Sequence, residues 1–173
     1  MRGNKKYRNI DHFLRCAYVD EEHVIVAHGS LYIEERGKTL GLTPQEKAQY
    51  YATARYQIEQ VFENDKDRLN CIKAKYGVGE TFIAAVAYLT QQMMVTGQTD
   101  TEGCCLFELV KYTYDKKKNL RQLCADYGMT MNALLKDKKF IDGYIAAIEY
   151  RAMEMVEGVL QPYLKEDMQL VVV

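Results

Sequence analysis

His12 and Cys16 stand four residues apart, so on a helix an imidazole and a thiol would face the same way, the donor types that zinc prefers. A tetrahedral zinc needs two more ligands. His23 with Glu22, or Cys104 and Cys105, would have to supply them by folding, and no C-x-x-C or other ligand spacing is present. Cys104-Cys105 follows Gly103 near a predicted helix start, where a thiolate would be favoured, but the adjoining Leu106 and Phe107 point to burial and no base partners the thiols. Tyr76-Gly77-Val78-Gly79-Glu80-Thr81 contains G-x-G before a helix. It lacks the third glycine, a Lys-Ser/Thr pair and a preceding strand, so it reads as a turn and not as a phosphate loop. Glu21-Glu22 and Glu34-Glu35 read as solvated helix ends. No acid, base, nucleophile or cofactor set assembles, and the expectation is a protein that is not an enzyme and carries no cofactor or metal.

A different pattern occupies Asn119–Lys139, NLRQLCADYGMTMNALLKDKK. Leu120 and Leu123 give one helix an apolar face, and Cys124 and Ala125 are small enough for a second helix to approach. Gly128 stands where a sharp helix-to-helix turn needs a positive φ. Thr130 can cap the next helix, whose Leu134 and Leu135 would return to the core. The order apolar, small, turn glycine, apolar, Thr, Leu resembles the helix-turn-helix of DNA-binding proteins, whose second helix enters the major groove. An αα-hairpin with no nucleic-acid role needs the same residues for packing alone. Asp137 departs from the motif, since an apolar residue is usual there.

The resemblance implies a recognition helix projecting Thr130, Met131, Asn132 and Lys136. The amide of Asn132 suits a bidentate pair with adenine. Lys116, Lys117, Lys118, Arg121 and Lys139 would meet phosphates, with basic residues 1–10 as a further arm. Between 111 and 139, eight lysines and arginines face three aspartates, although the whole chain has a net charge of −1, which excludes a protein that coats nucleic acid by charge alone. Lysine runs also do no more than solvate exposed helix faces.

Positioning these residues calls for helices. The 173 residues have 48% apolar content and only two prolines, enough for a core built from long helices. Leu42-Thr43-Pro44-Gln45-Glu46 is a helix start, with Thr43 as N-cap, Pro44 at the first position and Glu46 closing a capping box. That helix is expected to reach about Glu63, with Tyr50, Ala54, Ile58 and Val61 or Phe62 inward. A shorter helix follows from about Lys66 to Lys75. Glu80–Thr96, apolar around much of its circumference, is expected to be central, with Ile83, Val86 and Leu89 buried. Asp100 or Thr101 would cap the next helix, running to about Asp115. The last would run from Phe140 or Ile141 to about Leu160, with Pro162 just past its end.

Residues 20–41 admit two readings: a helix from Asp20 to Arg36, or two short strands, HVIVA and SLYIE, joined at His28-Gly29. The acidic start and basic end favour the helix. An internal echo sets Leu69, Ile72, Ala74, Tyr76, Gly77 and Val78 against Leu120, Leu123, Ala125, Tyr127, Gly128 and Met129, a constant 51 residues apart.

The sequence therefore predicts a mainly α bundle of about six to seven helices with two helical hairpins, and a short β-hairpin near 23–35 as the variant. Residues 1–10 form an arm, 11–165 one helical domain and 166–173 an apolar tail. The expected partner is double-stranded DNA, with a homodimer as the form that would read paired half-sites, although no heptad run specifies one. The competing reading is a small helical protein-interaction factor, an accessory or phage-type modulator of a larger protein. The fourteen tyrosines (Tyr50, Tyr51, Tyr56, Tyr112 and Tyr114 among them), the eight methionines and the tail Met168–Val173 suit it. Five cysteines without a pairing pattern, and no apolar run near the ~20 residues that span a bilayer, predict a cytoplasmic protein with no membrane partner.

Overall fold

In the computed structural model of this chain the described residues are 10–18, 44–116 and 119–169, with side chains described except at 44, 46, 47 and 162–169. Among them the chain is a mainly α bundle without strands. Helix α1 covers 10–18, followed by α2 (Pro44–Val61), α3 (Lys66–Tyr76), α4 (Gly79–Thr96), α5 (Gly103–Tyr114), α6 (Leu120–Tyr127) and α7 (Met131–Gln169). The arm at 1–9, the helix-or-strand segment within 19–43, the cap at Thr43, Lys117, Lys118 and the tail beyond Gln169 lie outside the described residues.

Helix α7 corrects the expectation of two separate helices. The second helix of the hairpin and the final helix are one 39-residue element, about 58 Å long at 1.5 Å per residue. Its inward positions are Leu134, Asp137, Ile141, Ile145, Ile148, Ala152 and Val156. They step by three, four and four residues, twice over. An eleven-residue repeat averages close to 3.6 residues per turn, so one straight helix keeps this seam inward throughout. The charged run Lys136–Lys139 lies within that helix, with Lys136 and Lys139 on its outer side and Asp137 inward. Pro162 lies inside α7, not past its end, and its missing N–H removes one helical hydrogen bond toward Gly158.

Two apolar cores sit along α7. The first joins Cys71 and Ala74 of α3, Val86, Leu89 and Met93 of α4, Leu106, Leu109 and Val110 of α5, and Leu123 of α6 to Leu134, Ile141 and Ile145. The second joins Ile10, Phe13, Leu14, Ala17 and Tyr18 of α1, Ala54 and Ile58 of α2 with Phe62, and Ile72 and Tyr76 of α3 to Ala152, Val156 and Leu160. Helix α3 serves both, because successive helical residues point about 100° apart. Polar ties reinforce it: Lys73 pairs with Glu59 at 2.8 Å, Lys75 with Glu149, and the Tyr76 hydroxyl donates to Asp11.

Helix α4 is buried on one side only. Ala85, Val86, Leu89, Thr90 and Met93 face α3 and α5. Ile83, expected inside, is 43% exposed, and Met94 and Val95 are exposed three turns further along the helix. An apolar circumference does not say which side a neighbour will cover. On α2 the choice between Val61 and Phe62 falls to Phe62, which is fully buried while Val61 is exposed.

The internal echo is a likeness of shape and not of turn. Gly128 is left-handed at φ 63°, whereas Gly77 is extended at φ −70° and ψ 161°, and the positive φ falls on Gly79.

Candidate nucleic-acid interface

The hairpin at 119–139 forms as its sequence implies. Asn119 caps α6, its side-chain oxygen accepting the Gln122 N–H at 2.8 Å. At the other end Gly128 adopts the left-handed conformation, and the Met129 N–H reaches back to the Cys124 carbonyl at 3.0 Å. That closure satisfies the last carbonyls of α6 and reverses the chain in one residue. Thr130 then caps α7, accepting the Ala133 N–H at 3.3 Å. Leu123 and Leu134 meet in the core with no exposure, and α5 packs on both helices to complete a three-helix unit.

What this turns outward is one edge of α7. Thr130, Asn132, Lys136 and Lys139 are exposed, as are Arg121 on α6 and Lys116 in the preceding loop, while Met131 is half-buried. Leu135 shares that edge at 45% exposure, a correction to its expected return to the core: only Leu134 turns inward. A helix that rests on its hairpin partner by a single inward stripe can bury one of two adjacent leucines but not both.

Lys136 is not an uncommitted cation. Its ammonium pairs with Asp100 at 2.8 Å, and that hydrogen bond pushes its pKa up. Lys138 pairs with Asp142 and lies over the ring of Tyr112. Lys116, Arg121 and Lys139 form no ion pair among the described residues.

Asp137 is the residue that motif matching undervalued. It has no solvent exposure, and its two oxygens accept the backbone N–H groups of Asp100 at 3.2 Å and Thr101 at 2.8 Å. Neither Asp100 nor Thr101 caps α5, as had been expected. The helix starts at Gly103 with Glu102 as a cap that makes no side-chain hydrogen bond. A carboxylate at an inward position of the hairpin was the available signal, since such a group needs partners.

The other candidate chemistry does not assemble among the described residues. Cys16 Sγ and His12 Nε2 approach to 3.8 Å, yet no group of three metal-ligating side chains forms. Cys104 is exposed and Cys105 buried. Cys71 lies 3.5 Å from the Tyr114 hydroxyl, and burial pushes its thiol up to about 11, opposite to the shift a nucleophile needs. An open cleft of about 400 Å³ lies at the α2–α3 turn, lined by Glu63, Asn64, Asp65, Lys66, Asp67 and Tyr88. Two of its three carboxylates are occupied, Asp65 by Arg68 and Asp67 by the Tyr88 hydroxyl. No described helix is long and apolar enough to cross a membrane.

Of the tyrosines singled out, Tyr56 is exposed, Tyr50 and Tyr51 pack on Phe13, and Tyr112 and Tyr114 are half-buried. No protein-family model matches this chain, and no curated protein matches it.

Proposed function

We propose that the protein binds duplex DNA through α6 and the first turns of α7. The observation that carries this reading is the left-handed Gly128 turn closed by the Thr130 cap, which leaves Asn132, Lys136 and Lys139 on one exposed edge of α7, with Arg121 exposed on α6. Asn132 would read a base edge, and Thr130 and Met131 would seat the helix end. Lys116, Arg121 and Lys139 would neutralise phosphates, with Lys117 and Lys118, next in sequence, adding charge. Lys136 would exchange Asp100 for a phosphate, an exposed ion pair being cheap to break. The role is one of binding and transcriptional modulation, without catalysis.

The test is fluorescence anisotropy with duplex DNA across a salt series. Asn132→Ala is expected to cost ~1–3 kcal/mol on a preferred site and to relax its sequence preference. Lys139→Ala is expected to weaken all duplexes about equally and lower the salt slope by roughly one contact. Undetectable binding at low salt, or variants that bind like the parent, would sink the proposal.

A second reading, a helical factor that docks on another protein, is favoured by the uncovered side of α4, where Ile83 is 43%, Met94 48% and Val95 79% exposed. It predicts a native complex that survives nuclease treatment and is lost in Val95→Asp.

A further inference from the structure

The outer side of α7 carries exposed residues spaced symmetrically about the Ala146–Ala147 peptide bond. Lys139, Gly143, Ala146, Ala147, Tyr150 and Glu154 are all exposed. Tyr150 is 66% exposed. A Cβ built on Gly143 would meet nothing within 4 Å, so no contact inside the chain calls for glycine there, although glycine weakens a helix interior. Lys139 and Glu154, at the two ends of the stripe, make no ion pair among the described residues.

These observations share one explanation. Let a second α7 lie antiparallel on the first, with a two-fold axis between Ala146 and Ala147. Each Tyr150 then falls opposite the partner's Gly143, and each Lys139 opposite the partner's Glu154. Ala146 and Ala147 lie on the axis, where small side chains let two helices approach to the 8–10 Å of close packing. One turn beyond the ion pairs, the exposed Leu135 meets the partner's Gly158, which is also exposed. Tyr150 and Leu135 each meet a glycine and Lys139 meets Glu154, and each relation repeats by symmetry, as an isologous contact requires.

We propose that the protein self-associates as an antiparallel dimer through this face of α7, the occupant being a second copy of the chain. Its ion pairs stand about 22 Å apart along the helix. The same face carries Asn132 and Lys136, so self-association and duplex binding compete for it. The test below contains no DNA, so the failure of either reading leaves the other measurable.

Sedimentation equilibrium of the full chain over roughly 1–200 μM reads the dissociation constant directly. The mass is expected to rise from 20.0 kDa toward twice that value. Tyr150→Ala, Lys139→Glu and Glu154→Lys are each expected to weaken association by about tenfold or more, since like charges then face each other or the ring is gone. The double variant Lys139→Glu/Glu154→Lys restores opposite charges across the axis, and association is expected within about threefold of the parent. That recovery also shows that the single variants were folded. A parent that stays at 20.0 kDa throughout, an association that the three single changes leave unmoved, or a double variant no better than the singles would overturn the proposal.

Discussion

Asp137, in the second turn of α7, holds the backbone N–H of Thr101 at 2.8 Å from a position closed to solvent. The same carboxylate takes the Asp100 N–H, so one side chain moors the α4–α5 connection to the long helix. Asp137→Leu removes both acceptors and leaves the buried Thr101 N–H without one. The expected loss is about 2–4 kcal/mol in urea unfolding, because hydrogen bonds to a charged group are the stronger kind and an orphaned buried donor adds its own cost. Asp137→Asn keeps one acceptor oxygen and is expected to lose about half as much. A Leu variant as stable as the parent would show that the mooring contributes nothing.

Leu89 and Ile83 separate the two sides of α4. Leu89→Ala, at a fully buried position, is expected to cost ~2–5 kcal/mol. Ile83→Ala, at 43% exposure, is expected to cost less than about 1 kcal/mol. Equal losses in thermal or chemical unfolding would mean that something covers the outer side of α4.

Two glycines are expected to respond in opposite directions. Gly128 has φ 63°, so Gly128→Ala should cost about 1–2 kcal/mol through left-handed strain alone, since nothing lies within 4 Å of the added methyl. Gly143 is helical with equally open space, so Gly143→Ala should stabilise the monomer by about 0.4–1 kcal/mol. At a concentration where the chain is monomeric, melting temperatures that move the same way would refute the assignment of one to a turn and the other to a helix face.

The thiols should sort by burial. Cys104 is exposed and is expected to react first with a disulfide reagent in the native state, while Cys71 waits for unfolding. Burial raises the Cys71 pKa from 9.0 to about 11. Its contribution is therefore present in full below about pH 9 and lost as pH rises through about 11, because the unfolded thiol ionises first. The loss should be on the order of 2 kcal/mol, and Cys71→Ala should remove that part of the alkaline slope. Parallel pH–stability curves for parent and variant would contradict it.

Much of this fold was legible locally. Gly128, Thr130, Leu123 and Leu134 predicted the α6–α7 hairpin because turn chemistry and capping are decided within a few residues. The starts and ends of α2, α3 and α4 followed for the same reason, within a residue or two. Side choice was not legible. Leu134 and Leu135 are neighbours of the same type, and only the position of α6 against α7 decides that the first is buried and the second exposed. Ile83 is as apolar as Leu89, and only the placement of α3 and α5 on one side of α4 separates them.

The continuity of α7 was hidden for a related reason. Lys136–Lys139 looks like a connection until the inward stripe of Leu134, Asp137 and Ile141 is seen to run on without a phase change. The sequence by itself determined where α2 to α6 lie, the Thr130 cap and the Gly128 turn, because those depend on groups within one or two turns of each other. Only the tertiary structure decided which face of each helix found a neighbour, that Asp137 would meet Thr101 across 36 residues, and that Lys136 would meet Asp100. Those pairings depend on how helices pack, and packing is set by the sum of many weak apolar contacts that no short window of sequence contains.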